Sequence, residues 1–326
     1  MAAHSFGGAM RKIARRITRL FPLFFVFSSS SFAHGGQHDT SAFASYFEIS
    51  QMITAFGLIV LLFGYIAGTR HLWKHAGRGH GIAVRSVSFF ALGWLSLVVA
   101  LIGPFHELSE ALFSAHMTQH EILMLIAAPL IVSGRPQIAA VWAIAPSYRQ
   151  RVGSIVKDRS FENCWHFVSS GLVAFLIHAA ALWIWHIPVL FDATLKSDIV
   201  HALQHASFFG TALLFWWAII NGAVGWKSSF VGVLYLFITS LHSGVLGAFI
   251  TFTRQLLYPV YFESTAAWGL TPLEDQQLGG LIMWVPGGLV YIGAGLFMFA
   301  RLLRQSERHA FEYDRRTLNE AVTSDL

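Results

Sequence analysis

Seven apolar runs of about 20 residues, the length that crosses the hydrocarbon of a bilayer, divide the chain. They fall near residues 49–67, 86–103, 112–132, 167–187, 199–222, 230–252 and 278–300. None alternates apolar with polar at a period of two, and each exceeds the length of a barrel strand. The pattern therefore predicts an all-α polytopic membrane protein, a bundle of seven transmembrane helices. Between the third and fourth runs, residues 135–165 are expected to include a short interfacial helix. The third run is interrupted in an unusual way. It begins "SAHMTQHEILMLIAAPLIV", so two histidines, a glutamine and a glutamate enter a segment that is otherwise ready for lipid. Each is costly there unless it has a partner.

Composition agrees with a membrane assignment. Of 326 residues, 55% are hydrophobic and 12% charged, about half the charged share of a soluble domain. The single cysteine, Cys164, excludes a disulfide framework or a cysteine-rich metal site within one chain. Residues 1–33 read as a cleavable signal peptide, with Arg11, Lys12, Arg15, Arg16 and Arg19 ahead of the short apolar core "LFPLFFVF" and the small residues "SSSSFA". Residues 34–46 follow as a polar periplasmic leader carrying His34 and His38, which is read as disordered. The membrane domain is expected over 47–303 and a cytoplasmic tail over 304–326. With the mature N-terminus outside and the C-terminus in the cytoplasm, fifteen Lys and Arg lie on inner segments. Only Lys196 and Arg254 lie outside, as the positive-inside rule requires. The net charge of +5 is thus a topology signal and asks for no nucleic acid.

That topology sorts the sixteen histidines. His116 and His120 fall in the outer third of span three, His186 at the outer end of span four, and His201 and His205 at the outer start of span five. His106 is placed in the first outer loop, and His178 and His242 near mid-membrane. His116, His120 and Met124 stand at i, i+4 and i+8 on one helical stripe. His201 and His205 repeat the i, i+4 pair, and two such pairs on different helices are a known way to build a metal site in a bundle. Imidazole suits several first-row metals, and a nearby soft Met with no usable Cys favours copper. Hence His116, His120, His186, His201 and His205 are expected as metal ligands. Glu121, Met124, His178, His242, Asp275 and Gln276 are candidates for supporting contacts or an inner rung. "HEILM" lacks the second histidine of HExxH, which argues against a metalloprotease, and there is no P-loop, GxSxG, CxxC or GxGxxG after a strand. Same-helix ligands four residues apart argue against two stacked haems, which need about thirteen; a single haem between spans three and five stays open.

At these residues the chain resembles a known family. "HMTQHEILMLIAAPLIVSGRP", "LWIWHIPVLFDATL", "HALQHASFFGTALLFWWAIING" and "DQQLGGLIMWVPGGLVYIGAG" are similar, in the same order, to the multi-span CtaG family of cytochrome c oxidase assembly proteins. The single-span copper chaperone of the same name is unrelated. The resemblance extends from Phe47 to Leu303. It implies a multi-pass protein of the bacterial inner membrane, needed to form active haem–copper oxidase without being a subunit or an enzyme itself. The family's histidine segments correspond to His116, His120, His186, His201 and His205, and its Asp-Gln-Gln segment to Asp275, Gln276 and Gln277. The expected function is oxidase assembly with copper held transiently at the histidines. The expected partners are nascent oxidase subunits and a periplasmic copper donor. The alternatives are a haem-binding or redox membrane protein and a metal-free scaffold that docks an oxidase subunit.

Overall fold

The computed structural model describes residues 40–221 and 229–324, and among these there is no strand. The expected signal peptide, residues 34–39 of the polar leader, and Lys227 lie outside the described residues, and the rest of the leader is helical from Thr40. The chain runs α1 (Thr40–Ala76), α2 (Val84–Leu101), α3 (Pro104–Ala111), α4 (Phe113–Glu121), a π turn (Ile122–Ala127) and α5 (Ala128–Gly134). Then follow α6 (Pro136–Ala143), α7 (Pro146–Lys157), α8 (Arg159–Val168), α9 (Gly171–Trp185), α10 (Pro188–Lys196), α11 (Asp198–Ile220), α12 (Ser229–Phe252) and α13 (Pro272–Ser324).

Six of these segments are long and apolar enough to cross a membrane, or seven if α8 and α9 count as one. The fourth expected span is where the sequence reading needs correction. The apolar run 167–187 is divided at Ser169 and Ser170, where α8 and α9 meet at a 60° bend. Ser169 turns its hydroxyl back to the Trp165 carbonyl, and small hydroxyl residues that bond the backbone locally loosen a helix at such a point. The expected interfacial helix in 135–165 is instead a series of short ones, α6, α7 and the start of α8. The tail beyond residue 303 continues α13 without a break.

Burial ranks the spans. In the span Phe113–Gly134, 61% of the apolar window is buried, and in Asp198–Ile220 56%, against 22% for both Gln51–Ala76 and Pro272–Arg304. The third and fifth spans are therefore the centre of the bundle, and the outer helices turn Phe56, Phe63, Phe237 and Phe249 outward, as lipid-facing surfaces do. Around this centre, Tyr65 stacks on Phe90 with ring centroids 3.6 Å apart and donates its hydroxyl to the Gly134 carbonyl at 2.9 Å. Trp94 Nε1 donates to the Leu58 carbonyl at 2.8 Å. α12 and α13 pack through Gly247 and Gly280, where a Cβ on either would run into the other's carbonyl; such small-residue contacts let membrane helices approach closely.

The central span is not a regular helix. Pro129 has no N–H, and its ring opposes the carbonyl four residues earlier. The π turn sits just before it and widens the spiral. Trp216 of α11 satisfies a carbonyl in the widened turn, donating Nε1 to Met124 O at 2.8 Å.

Candidate metal centre

α11 packs along the π turn and α5 that continue α4, its histidine pair lies near its N-terminus, and α4 carries its own pair along its length. Within α4 the His116 and His120 rings are 4.4 Å apart, and within α11 those of His201 and His205 are 4.3 Å apart. Across the helices, His116 lies 5.1 Å from His201 and 5.9 Å from His205, and His120 lies 5.3 Å from His205. One ligand atom from each of His116, His120 and His205 falls within 4.8 Å of the others. The i, i+4 spacing on two helices thus converges in space.

His186 caps the C-terminal end of α9. It donates Nδ1–H to the Leu182 carbonyl at 2.6 Å, which leaves the lone pair of Nε2 on the ring's other side. Its ring lies 6.4 Å from Phe191 and 6.0 Å from Phe208, the aromatic rings that also flank His116 and His120. His116 is oriented in the same way, with Nδ1 3.3 Å from the Ser109 carbonyl. A backbone carbonyl on the far nitrogen is the arrangement that fixes the tautomer of ligating histidines. The amide oxygen of Gln204 lies 3.1 Å from His116 Nε2. Carbonyl-type oxygens therefore face both nitrogens of one imidazole, a pairing that a neutral ring cannot satisfy at both ends.

Burial makes the arrangement expensive. His116 is 0% exposed, His120 2%, His186 5% and His201 7%. Both nitrogens of His120, and Nε2 of His186, His201 and His205, are buried with no hydrogen-bond partner. A buried polar atom left in this condition costs roughly 1–3 kcal/mol. A cation ligated by these lone pairs would offset that cost, so the donor set fits a soft or borderline metal ion.

The sequence reading missed one member. His106, placed in a loop, is on the short helix α3, and its ring stacks on His201 at 5.6 Å and lies 6.4 Å from His205. Its Nδ1 accepts from Gln119 at 3.0 Å, and its Nε2 is 3.7 Å from Glu110. Burial holds the His106 pKa below its usual value. Burial first, then the charges of Asp198 and Glu107, push Glu110 up to about 7. The signal was present: Gly103-Pro104 starts a helix, and on it His106 and Glu110 stand four apart.

The other candidates go elsewhere. Asp275 accepts from Phe113 N at 2.6 Å, from Ser114 N at 3.1 Å and from the Ser114 hydroxyl, so it caps α4 from 160 residues away rather than touching an imidazole. Gln276 accepts from Leu257 N at 2.6 Å and donates to the Gln255 carbonyl at 3.0 Å. That loop carries Tyr258, whose hydroxyl donates to the His186 carbonyl at 2.9 Å. The Asp-Gln-Gln segment is thus the frame that positions three of the histidines. Glu121 is half-buried beside Gly287, where a Cβ would approach its Oε2 to 2.7 Å, and that buried oxygen has no hydrogen-bond partner. Met124 lies in the π turn, which breaks the 3.6-residue stripe, and packs in the apolar core. His178 pairs with the Thr211 hydroxyl at 3.0 Å, and His242 accepts from Trp183 Nε1 at 3.4 Å.

An all-helical chain with several membrane-length helices, whose two most buried spans hold facing histidine pairs, defines a polytopic membrane protein with a buried imidazole centre. The chain belongs to the cytochrome c oxidase caa3 assembly factor family, Caa3_CtaG, whose pattern matches residues 63–305. It is 25% identical over 279 residues to the uncharacterized protein Mb0105 of Mycobacterium bovis, and equally to the uncharacterized protein ML1998 of Mycobacterium leprae. In each case the match covers 82% of this chain and 41% of the relative. The chain therefore spans about two fifths of the length of the curated relatives it matches. No solved structure matches it.

Proposed function

We propose that the protein serves haem–copper oxidase assembly by holding copper in transit at the histidine centre, with His116, His120 and His205 as the principal ligands and His186 and His201 beside them. The observation that carries this reading is the convergence of partnerless imidazole nitrogens from α4 and α11 in one buried place. Copper here is cargo, and clustered neutral imidazoles exchange a soft ion more readily than a closed thiolate cage does. In the orientation given by the basic residues, the seven-span chain lies in the bacterial inner membrane with its N-terminus outside. The centre is then at the periplasmic end, where a copper donor could load it and a nascent oxidase subunit unload it.

Two other readings are less well supported. A haem would have to enter where His120 packs against His205 at 5.3 Å and Phe208 at 4.6 Å. A metal-free scaffold leaves the partnerless nitrogens without a purpose. The test is direct. Full-length protein in detergent, loaded with Cu(I), should retain about one equivalent through gel filtration, and the His120→Ala, His205→Ala double variant should lose it. Equal retention by the double variant would remove the ligand assignment, and a Soret band in the purified protein would favour haem.

A further inference from the structure

The imidazole centre holds little that could neutralise charge. Among the described residues no carboxylate is hydrogen-bonded or ion-paired to the rings of His116, His120 or His205. Asp275 faces the first backbone N–H groups of α4, where its charge is already matched by the positive end of the helix. Glu121 is beside Gly287 of α13. Glu110 reaches only His106, at the outer edge, where its side chain is 34% exposed. The groups behind His116 and His186 are neutral too. His116 and His186 bond the carbonyls of Ser109 and Leu182, whereas histidines that bind zinc often lean on a carboxylate. The amide nearest His116 Nε2 belongs to Gln204, itself 0% exposed.

The space for an accompanying anion is also apolar. Phe191 lies 5.1 Å from His116, and Phe208 lies 4.6 Å from His120. A divalent ion that brought a hydroxide or chloride would have to place it against these rings. The cost of moving an ion from water into a low-dielectric interior rises with the square of its charge, so a bare divalent ion is penalised about four times as much as a monovalent one. Neutral imidazoles compensate a single charge far more readily than two.

Resting on the copper-holding reading above, we infer that the centre selects a monovalent soft cation, Cu(I), and excludes divalent ions such as Zn(II) and Cu(II). The oxidation state of the cargo is then set by the absence of a carboxylate against the three principal imidazoles, and Gln204 occupies the position from which one added charge would relax the choice.

The experiment compares ions on one protein. Full-length wild type in detergent is equilibrated with Cu(I) under reductant and, separately, with Zn(II), each against a chelator of known affinity. Wild type should hold about one equivalent of Cu(I) and bind Zn(II) at least about 100-fold more weakly. Gln204→Glu places a carboxylate beside His116 and should raise the ratio of Zn(II) to Cu(I) affinity about tenfold or more. Circular dichroism and thermal unfolding show whether that variant is folded; if it is not, wild-type binding of Ag(I) against Zn(II) decides in its place. Wild type that holds Zn(II) as tightly as Cu(I), or a folded Gln204→Glu whose preference is unchanged, overturns the inference and leaves the copper-holding reading standing. Wild type that holds neither ion overturns both.

Discussion

The chain builds the i, i+4 histidine pair at both ends of its bundle, and only one end has the makings of a metal centre. On α1, His71 and His75 lie 5.0 Å apart, much as His116 and His120 do. Yet His71 Nδ1 is 3.2 Å from the Trp142 carbonyl and 3.1 Å from Arg149 Nη2, and His75 Nδ1 bonds the His71 carbonyl at 2.9 Å. The guanidinium of Arg149 also lies 4.5 Å over the Trp142 ring. A fixed cation about 4 Å from an incoming metal ion repels it by roughly 4 kcal/mol at an effective dielectric of 20. At the α4–α11 end no such cation stands beside the rings among the described residues, and both nitrogens of His120 and Nε2 of His201 and His205 have no hydrogen-bond partner. The spacing is the same at both ends. What differs is which groups the nitrogens meet.

The contrast can be broken in several ways. The largest effect is expected from the His120→Ala, His205→Ala double variant, which should weaken Cu(I) retention by about 100-fold or more, measured by chelator competition. His186→Ala should cost about tenfold, since it removes a neighbour of the principal three while leaving them in place. Asp275→Ala strips the cap from α4 and should lower stability by about 2 kcal/mol. That appears as a lower thermal midpoint in detergent, with Cu(I) stoichiometry largely kept once the protein is folded. The His71→Ala, His75→Ala pair should leave Cu(I) retention within error and stability within about 0.5 kcal/mol. Lost retention in that last variant would erase the difference between the two ends.

Much of this was visible in the sequence because two periodicities are independent of tertiary detail. A 20-residue apolar run identifies a span, and an i, i+4 pair identifies a face. His116, His120, His201 and His205 were therefore assignable before their helices were seen to meet. Three features escaped for physical reasons. The α8–α9 bend depends on hydroxyls turning to the backbone at Ser169, which leaves hydropathy unchanged. The Met124 stripe assumed 3.6 residues per turn through a segment that Pro129 forces into a π turn. The Asp-Gln-Gln segment bonds backbone groups across 160 residues of chain, a pairing that spacing cannot reveal. His106 was legible, but its eight-residue helix is too short and too polar to register as an element in an apolar scan.

The central claim is that α4 and α11 jointly supply nitrogen ligands to one ion. X-ray absorption at the copper edge of the Cu(I)-loaded full-length protein tests it most directly. The account expects a shell of nitrogen scatterers from two or three imidazoles, lost in the His120→Ala, His205→Ala variant. A sulfur scatterer, or an imidazole shell that persists in that variant, would contradict it.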